Sequence, residues 1–168
     1  KPWKDNYGPT EKGVVFSGQT RSPIITGLTC PHSAKLHNGK LWICNSGHGS
    51  VGYIDDFQTN DPSICKYVEV TKVPGFTRGL TFYDDYMFVG LSKVIPQYEY
   101  YAPEIEPSKS VNGIYVFSTT TGNFIASIDW VNGYQIYDVQ IIDNIKMPLF
   151  PIEKNLNDNI NHILRYVG

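Results

Sequence analysis

Three of the four histidines and two of the three cysteines lie within residues 27–56, GLTCPHSAKLHNGKLWICNSGHGSVGYIDD. Cysteine and histidine are the usual ligands of structural zinc, so this stretch first suggests a metal site. The spacing does not fit, because Cys30 and Cys44 do not form a closely spaced ligand pair and Cys44 lies inside a predicted strand. We therefore predict no metal and no cofactor, and an odd number of cysteines favours reduced thiols.

Nucleophilic catalysis is not indicated either. The sequence has no G-x-S-x-G motif that would present a serine to a histidine. His48 lies in a glycine-rich stretch, SGHGS, but no Walker lysine accompanies it, so a tight loop is favoured over a phosphate site. No catalytic residue is assigned, and whether the protein is an enzyme stays open.

A repeat organises the stretch that contains these residues. HSAKLHNGKLWICNSG, from residue 32, aligns without a gap with RGLTFYDDYMFVGLSK, from residue 78. Each copy reads as a strand, a two-residue Asn-Gly or Asp-Asp turn, and a second strand, which is typical of a β-hairpin. Trp42 and Phe88 should therefore occupy the same structural position. A partial third copy, DVQIIDN, begins at Asp138.

A second kind of hairpin alternates with the first. Its three copies are GVVFSGQTRSPIITG, GYIDDFQTNDPSICKYVEV and GIYVFSTTTGNFIASIDWV. Four strands per unit, with a period of about 40–60 residues, is the pattern of a β-propeller. We predict a single all-β domain over 1–168, a partial β-propeller with two complete four-stranded blades and two part-blades. The predicted ranges are blades 28–74 and 75–131, part-blades 12–27 and 132–145, and a short C-terminal helix at about 153–167.

Ionisable residues recur at the start of the innermost predicted strands, as His32, Arg78 and Asp138. Because an isolated buried charge is costly, these side chains should either pair as a salt-bridged plug or line a wet pocket. The planar fork of arginine suits a carboxylate or phosphate, so the mixture favours a small anionic or zwitterionic ligand. Ser33 and Asn45 are further candidate ligand-binding residues.

A tyrosine-rich insertion, VIPQYEYYAPEIEPSKSVN (94–112), interrupts the second predicted blade. Its tyrosines are suited to covering a pocket or to contacting a protein, and the equal alternative is a plain loop in which they pack on one another. The predicted blades leave open sheet edges near residues 14–16 and 139–142, where unpaired backbone groups favour pairing with another chain or self-association.

Four segments of the chain resemble a known family of proteins. They are GLTCPHSAKLHNGKLWICNSGHGSVGYID, VPGFTRGLTFYDDYMFVGLSK, NGIYVFSTTTGNFIASIDW and YDVQIID. Together they resemble an uncharacterised bacterial family of conserved hypothetical proteins with propeller-like repeats. Members of that family are usually about twice this length, so the chain is similar to a C-terminal half. The resemblance implies a propeller that another chain or a missing half completes, and it implies no activity.

Charge and composition narrow the function classes. The net charge is −2, with 14 basic and 16 acidic residues and no basic block, which argues against nucleic acid as a partner. The apolar runs are too short to span a bilayer, and the cysteine usage favours a reducing, cytoplasmic location. We expect a binding or scaffold protein. The alternatives are a metal-dependent hydrolase or lactonase of the six-bladed propeller type and a structural subunit of a larger assembly.

Overall fold

The computed structural model describes residues 9–59, 61–130, 132–133 and 135–144. The tail helix predicted at 153–167 lies outside the described residues. Within them, the chain is mostly β, as the alternating pattern predicts, and three short 3₁₀ helices are present at Ser46–His48, Pro96–Tyr101 and Pro107–Lys109. None of the helical segments in the described ranges is long and apolar enough to cross a membrane.

In the part of the chain that the structure describes, ten strands form three antiparallel sheets. The first sheet pairs β1 (Gly13–Phe16) with β2 (Pro23–Leu28). The second sheet follows the chain through β3 (Pro31–His37), β4 (Lys40–Asn45), β5 (Ser50–Asp55) and β6 (Lys66–Lys72). The third sheet follows it through β7 (Phe76–Tyr83), β8 (Tyr86–Ser92), β9 (Gly113–Ser118) and β10 (Phe124–Asp129). Both kinds of predicted hairpin are therefore present, and each larger sheet is a four-stranded meander.

The two meanders share one register, which confirms the alignment of the repeats. Lys35 lies opposite Trp42 in the second sheet, and the corresponding residues Thr81 and Phe88 lie opposite each other in the third. Asn38 and its counterpart Asp84 both have positive φ values, 47° and 49°, because each tight turn needs a left-handed residue. Trp42 and Phe88 thus occupy the same position in successive sheets, as predicted.

Apolar side chains hold the three sheets together on both faces of the second sheet. One cluster joins the second and third sheets, and its buried members are Trp42, Cys44, Val51, Val73, Leu80, Met87, Val89, Leu91 and Phe117. Another joins the second sheet to the first, and its buried members are Ile25, Leu28, Ile43, Ile54 and Cys65. Burial on both faces explains why β4 and β5 contain few exposed residues.

The predicted part-blade at 132–145 differs from expectation. Its described residues contain no strand. The N–H of Ile136 donates to Ser92 Oγ at 2.9 Å, and the Ser92 hydroxyl donates to the carbonyl of Ile136 at 3.0 Å. A side chain of β8 therefore satisfies the backbone groups that a neighbouring strand would otherwise bind. The segment still lies beside the third sheet, where the repeat predicts it.

Candidate functional site

A cavity of about 320 Å³ opens beside the first residues of β3 and β7. The strands and the residues next to them contribute Cys30, His32, Phe76, Arg78, Ser92 and Lys93. The insertion at 94–112 contributes Val94, Ile95, Tyr98, Tyr101 and Ala102, and Gln135 completes the wall. The cavity therefore lies between the repeated strands and the insertion that interrupts the second repeat.

A pair of matched bulges brings His32 and Arg78 together. The register of β3 shifts after His32, and the register of β7 shifts at the equivalent place, after Thr77. Ser33 and its counterpart Gly79 have positive φ values of 59° and 86°. The N–H of Gly79 donates to Ser33 Oγ at 2.9 Å, so the two bulges are directly joined. The residues that precede them then lie side by side at one end of both sheets.

His32 is a half-buried, uncharged donor or acceptor near neutral pH. Its ring packs edge-on against Phe76, with 5.7 Å between the ring centroids. Burial lowers the pKa of His32, and the positive charge of Arg78 lowers it further. The imidazole therefore adds a hydrogen-bond donor and an acceptor to the cavity without adding a charge.

Arg78 supplies the partly buried positive charge. Its guanidinium lies over the ring of Tyr137, with 4.4 Å between Cζ and the ring centroid, a cation–π contact. Among the described residues, no carboxylate forms an ion pair with Arg78. No Asp or Glu appears among the described residues that line the cavity, whereas Lys93 does. The fork of Arg78 is thus available to a negatively charged group.

The insertion is held in place by its own small core. Val94, Ala102 and Ile105 are buried together, and Phe76 of β7 packs against them. The rings of Tyr98 and Tyr101 lie 6.2 Å apart, and both line the cavity. The tyrosine-rich segment therefore forms part of the cavity wall, and its tyrosines also pack on one another.

The other predicted site residues do not line the cavity, although the backbone of Asp138 lies against Gly79, next to Arg78. Asp138 is exposed, and its Oδ2 accepts a hydrogen bond from Gln140 Nε2 at 2.7 Å. Asn45 is buried, and its Oδ1 accepts a hydrogen bond from the N–H of Thr29 at 2.7 Å. Ser33 is occupied by the N–H of Gly79. The structure thus brings His32 and Arg78 together. The side chains of Ser33 and Asn45 each accept a hydrogen bond from a backbone N–H group instead.

Sequence reasoning identified only His32 and Arg78 of the lining residues as parts of a ligand site, and Cys30 and Lys93 are among those that it missed. Burial raises the pKa of the Cys30 thiol, so this side chain is uncharged at neutral pH. The repeat offers no signal for Lys93, because its counterpart in the first copy is Gly47. Only the path of the chain from β8 into the insertion places Lys93 at the cavity.

A second polar cluster connects the insertion to the second sheet. Thr29 Oγ1 lies 3.0 Å from His48 Nε2, and His48 Nδ1 lies 3.3 Å from Glu104 Oε1. Lys72 Nζ lies 2.6 Å from Glu104 Oε2. This hydroxyl–imidazole–carboxylate order is familiar from hydrolases, but Thr29 is fully buried and its Oγ1 accepts a hydrogen bond from the N–H of Glu11. Thr29 is thus not exposed in this structure, and the contacts of the cluster join the insertion to the second sheet.

The comparisons with known proteins give one match. The family described as a domain of unknown function (DUF4915) matches residues 1–150. No curated protein matches the chain, and no solved structure matches it. In the part of the chain that the structure describes, no three His, Cys, Asp or Glu side chains are grouped so that they could hold a metal ion.

Proposed function

We propose that this chain, which belongs to the DUF4915 family, is a binding protein of the β-propeller type whose cavity takes a small anionic ligand. Two four-stranded meanders with the same register pack face to face, and this arrangement supports the propeller architecture. The first strands of both, β3 and β7, lie next to each other at the bulges. We infer that another chain or a further part of the protein completes the ring.

The observation that carries the ligand proposal is the charge of the cavity wall. Arg78 and Lys93 line it, and the described part of the wall contains no carboxylate to neutralise them. An arginine in a mostly apolar wall retains a strong tendency to bind an anion, since its guanidinium is less well hydrated there than in bulk water. A carboxylate or phosphate oxygen would satisfy it with charge-assisted hydrogen bonds.

The first test replaces Arg78 with methionine, which keeps an unbranched apolar stem and removes the charged guanidinium. Calorimetric titration with a panel of small anions should show an affinity at least about tenfold lower for R78M, because a hydrogen bond to a charged group is worth about 1.5–3 kcal/mol. R21M is the matched control, since Arg21 is exposed in the turn between β1 and β2. The midpoint of urea unfolding should be nearly unchanged in both variants.

If Arg78 instead belongs to a salt-bridged plug, the opposite effects on stability and binding are expected. In that case R78M would lose stability, and neither the wild type nor the variant would bind an anion. This outcome would overturn the proposed function. The metal-dependent hydrolase alternative has no supporting cluster among the described side chains.

A scaffold role is a second candidate, and the exposed apolar side chains at the edge of the third sheet favour it. Phe124, Ile125, Ile128 and Trp130 are each at least 45% exposed. Such a concentration on one edge strand and the residue that follows it is typical of an interaction surface. The cysteines of the described residues are all unpaired, and a reducing, cytoplasmic location stays a prediction.

A further inference from the structure

The apolar part of the cavity restricts the kind of anion that it can take. Phe76 belongs to β7, whereas Tyr98 and Tyr101 belong to the insertion, so aromatic rings face the cavity from two separate elements. Val94, Ile95 and Ala102 complete a wall with no charge of its own. Aromatic side chains pack favourably against another ring in edge-on or offset arrangements. A ligand that consists of a charged head alone would leave this wall unfilled.

The polar part of the cavity argues against a positive charge on the ligand. An ammonium group would have to lie near Arg78 and Lys93, and the described lining residues offer no carboxylate to accept it. The hydroxyl of Ser92 is already engaged by both backbone groups of Ile136. Because the ammonium would lie near two cations with no carboxylate to pair with it, a zwitterion should bind more weakly than the matching simple anion.

The volume of the cavity sets the size of the ligand. A dry cavity of about 150 Å³ is sufficient for benzene. The cavity here, at about 320 Å³, is roughly twice as large. It therefore has room for one aromatic ring, a short linker and a charged head, and it is at the small end of the range for ligand pockets.

We propose that the ligand is an aromatic monocarboxylate, with its carboxylate on Arg78 and its ring between Phe76 and the tyrosines of the insertion. This inference rests on the proposed function, because it names the class of anion that the same cavity would bind. It excludes zwitterions, which the sequence pattern leaves open, and it assigns the tyrosine-rich insertion a direct role in recognition.

The test uses a set of small molecules that differ by one feature each. Calorimetric titration compares 3-phenylpropanoate with L-phenylalanine, 3-phenylpropan-1-ol, acetate and inorganic phosphate. We expect 3-phenylpropanoate to bind at least tenfold more tightly than each of the others. R78M should weaken 3-phenylpropanoate at least tenfold and leave the alcohol unchanged, and R21M should change neither.

Alkylation of Cys30 locates the bound molecule independently. Cys30 lines the cavity and is partly exposed, whereas Cys44 is fully buried. At pH 8.5, 3-phenylpropanoate at a few times its wild-type Kd should slow the alkylation of Cys30 several-fold, and the same concentration should slow it much less in R78M. Slowing that is equal in wild type and R78M would overturn the placement of the carboxylate on Arg78.

The possible failures are distinguishable. If acetate or phosphate binds as tightly as 3-phenylpropanoate and depends on Arg78, the aromatic inference is wrong and the anion-binding function stands. Equal affinity for L-phenylalanine overturns the exclusion of zwitterions. If none of the anions binds or protects Cys30, the proposed function and this inference both fail.

Discussion

At the scale of single residues, His32 is the titratable group whose charge the cavity controls near neutral pH. It is half-buried and lies beside Arg78, and both circumstances lower its pKa from the ordinary value. The unfolded chain therefore binds a proton at His32 more readily than the folded protein does. The contribution of His32 to stability is present above about pH 6.5 and is lost as the pH falls below that value.

Anion binding should respond to pH in the opposite direction. Protonation of His32 adds a positive charge to a cavity that Arg78 and Lys93 already make basic. We therefore expect the affinity for 3-phenylpropanoate to rise about threefold to tenfold between pH 7.5 and pH 5.5, a range over which a carboxylate stays ionised. H32Q should flatten this dependence in calorimetric titrations. An unaltered pH dependence in H32Q would show that another group is responsible.

At the scale of elements, the insertion at 94–112 is joined to the second sheet by Glu104. The carboxylate of Glu104 contacts Lys72 and His48, and the hydrogen bond from Lys72 lowers the pKa of Glu104. Glu104 is 43% exposed, so this ion pair contributes little to the free energy of unfolding. The ion pair instead helps to hold the insertion against the second sheet. This matters for the cavity because the same segment contributes Tyr98 and Tyr101 to its wall.

Removing the charge of Glu104 should loosen the insertion without unfolding the protein. In E104Q, we expect faster hydrogen exchange in the backbone of residues 98–105 and a change of less than about 1 kcal/mol in the free energy of unfolding. E106Q is the matched control, since Glu106 pairs with Lys109 inside the insertion. Equal exchange in the two variants would contradict a specific role for Glu104.

The pH dependence of the same contact follows from the direction of its pKa shift. Because the pKa of Glu104 is lowered in the folded protein, its stabilising contribution is present above the ordinary value of about 4.3. It is lost as the pH falls through the lower folded-state value. The contact with Lys72 is thus maintained throughout the neutral range in which ligand binding is measured.

At the scale of the whole molecule, the described residues cover one face of the third sheet less fully than they cover the equivalent face of the second sheet. Trp42 is only 2% exposed because the third sheet packs on it. Its counterpart Phe88 is less deeply buried, and Ile128, opposite Ile114 in the same sheet, is 61% exposed. A further packing partner on this face would extend the stack of sheets.

Self-association through this face should be sensitive to a charge on it. We expect sedimentation velocity to show concentration-dependent association of the wild type, and I128K to weaken it at least tenfold. Ser127 is the matched control position, because it is exposed and its side chain points to the opposite side of β10. A wild type that stays monomeric at 100 μM would contradict self-association, and equal effects of I128K and S127K would shift the contact to the strand edge.

The alternation of apolar residues and the Asn-Gly and Asp-Asp turns were sufficient to predict the hairpins, their register and the equivalence of Trp42 and Phe88, because these features depend on neighbouring residues. The alignment of the two repeats also identified His32 and Arg78 as equivalent residues, and both of them line the cavity. Only the tertiary structure paired the carboxylate of Asp138 with Gln140, engaged Ser33 and Asn45 with backbone N–H groups, and brought Lys93 and the insertion to the cavity. Apart from the contact of Asp138 with Gln140, those outcomes depend on contacts between residues that are far apart in the chain. A local sequence pattern does not show which distant residues will pack against each other.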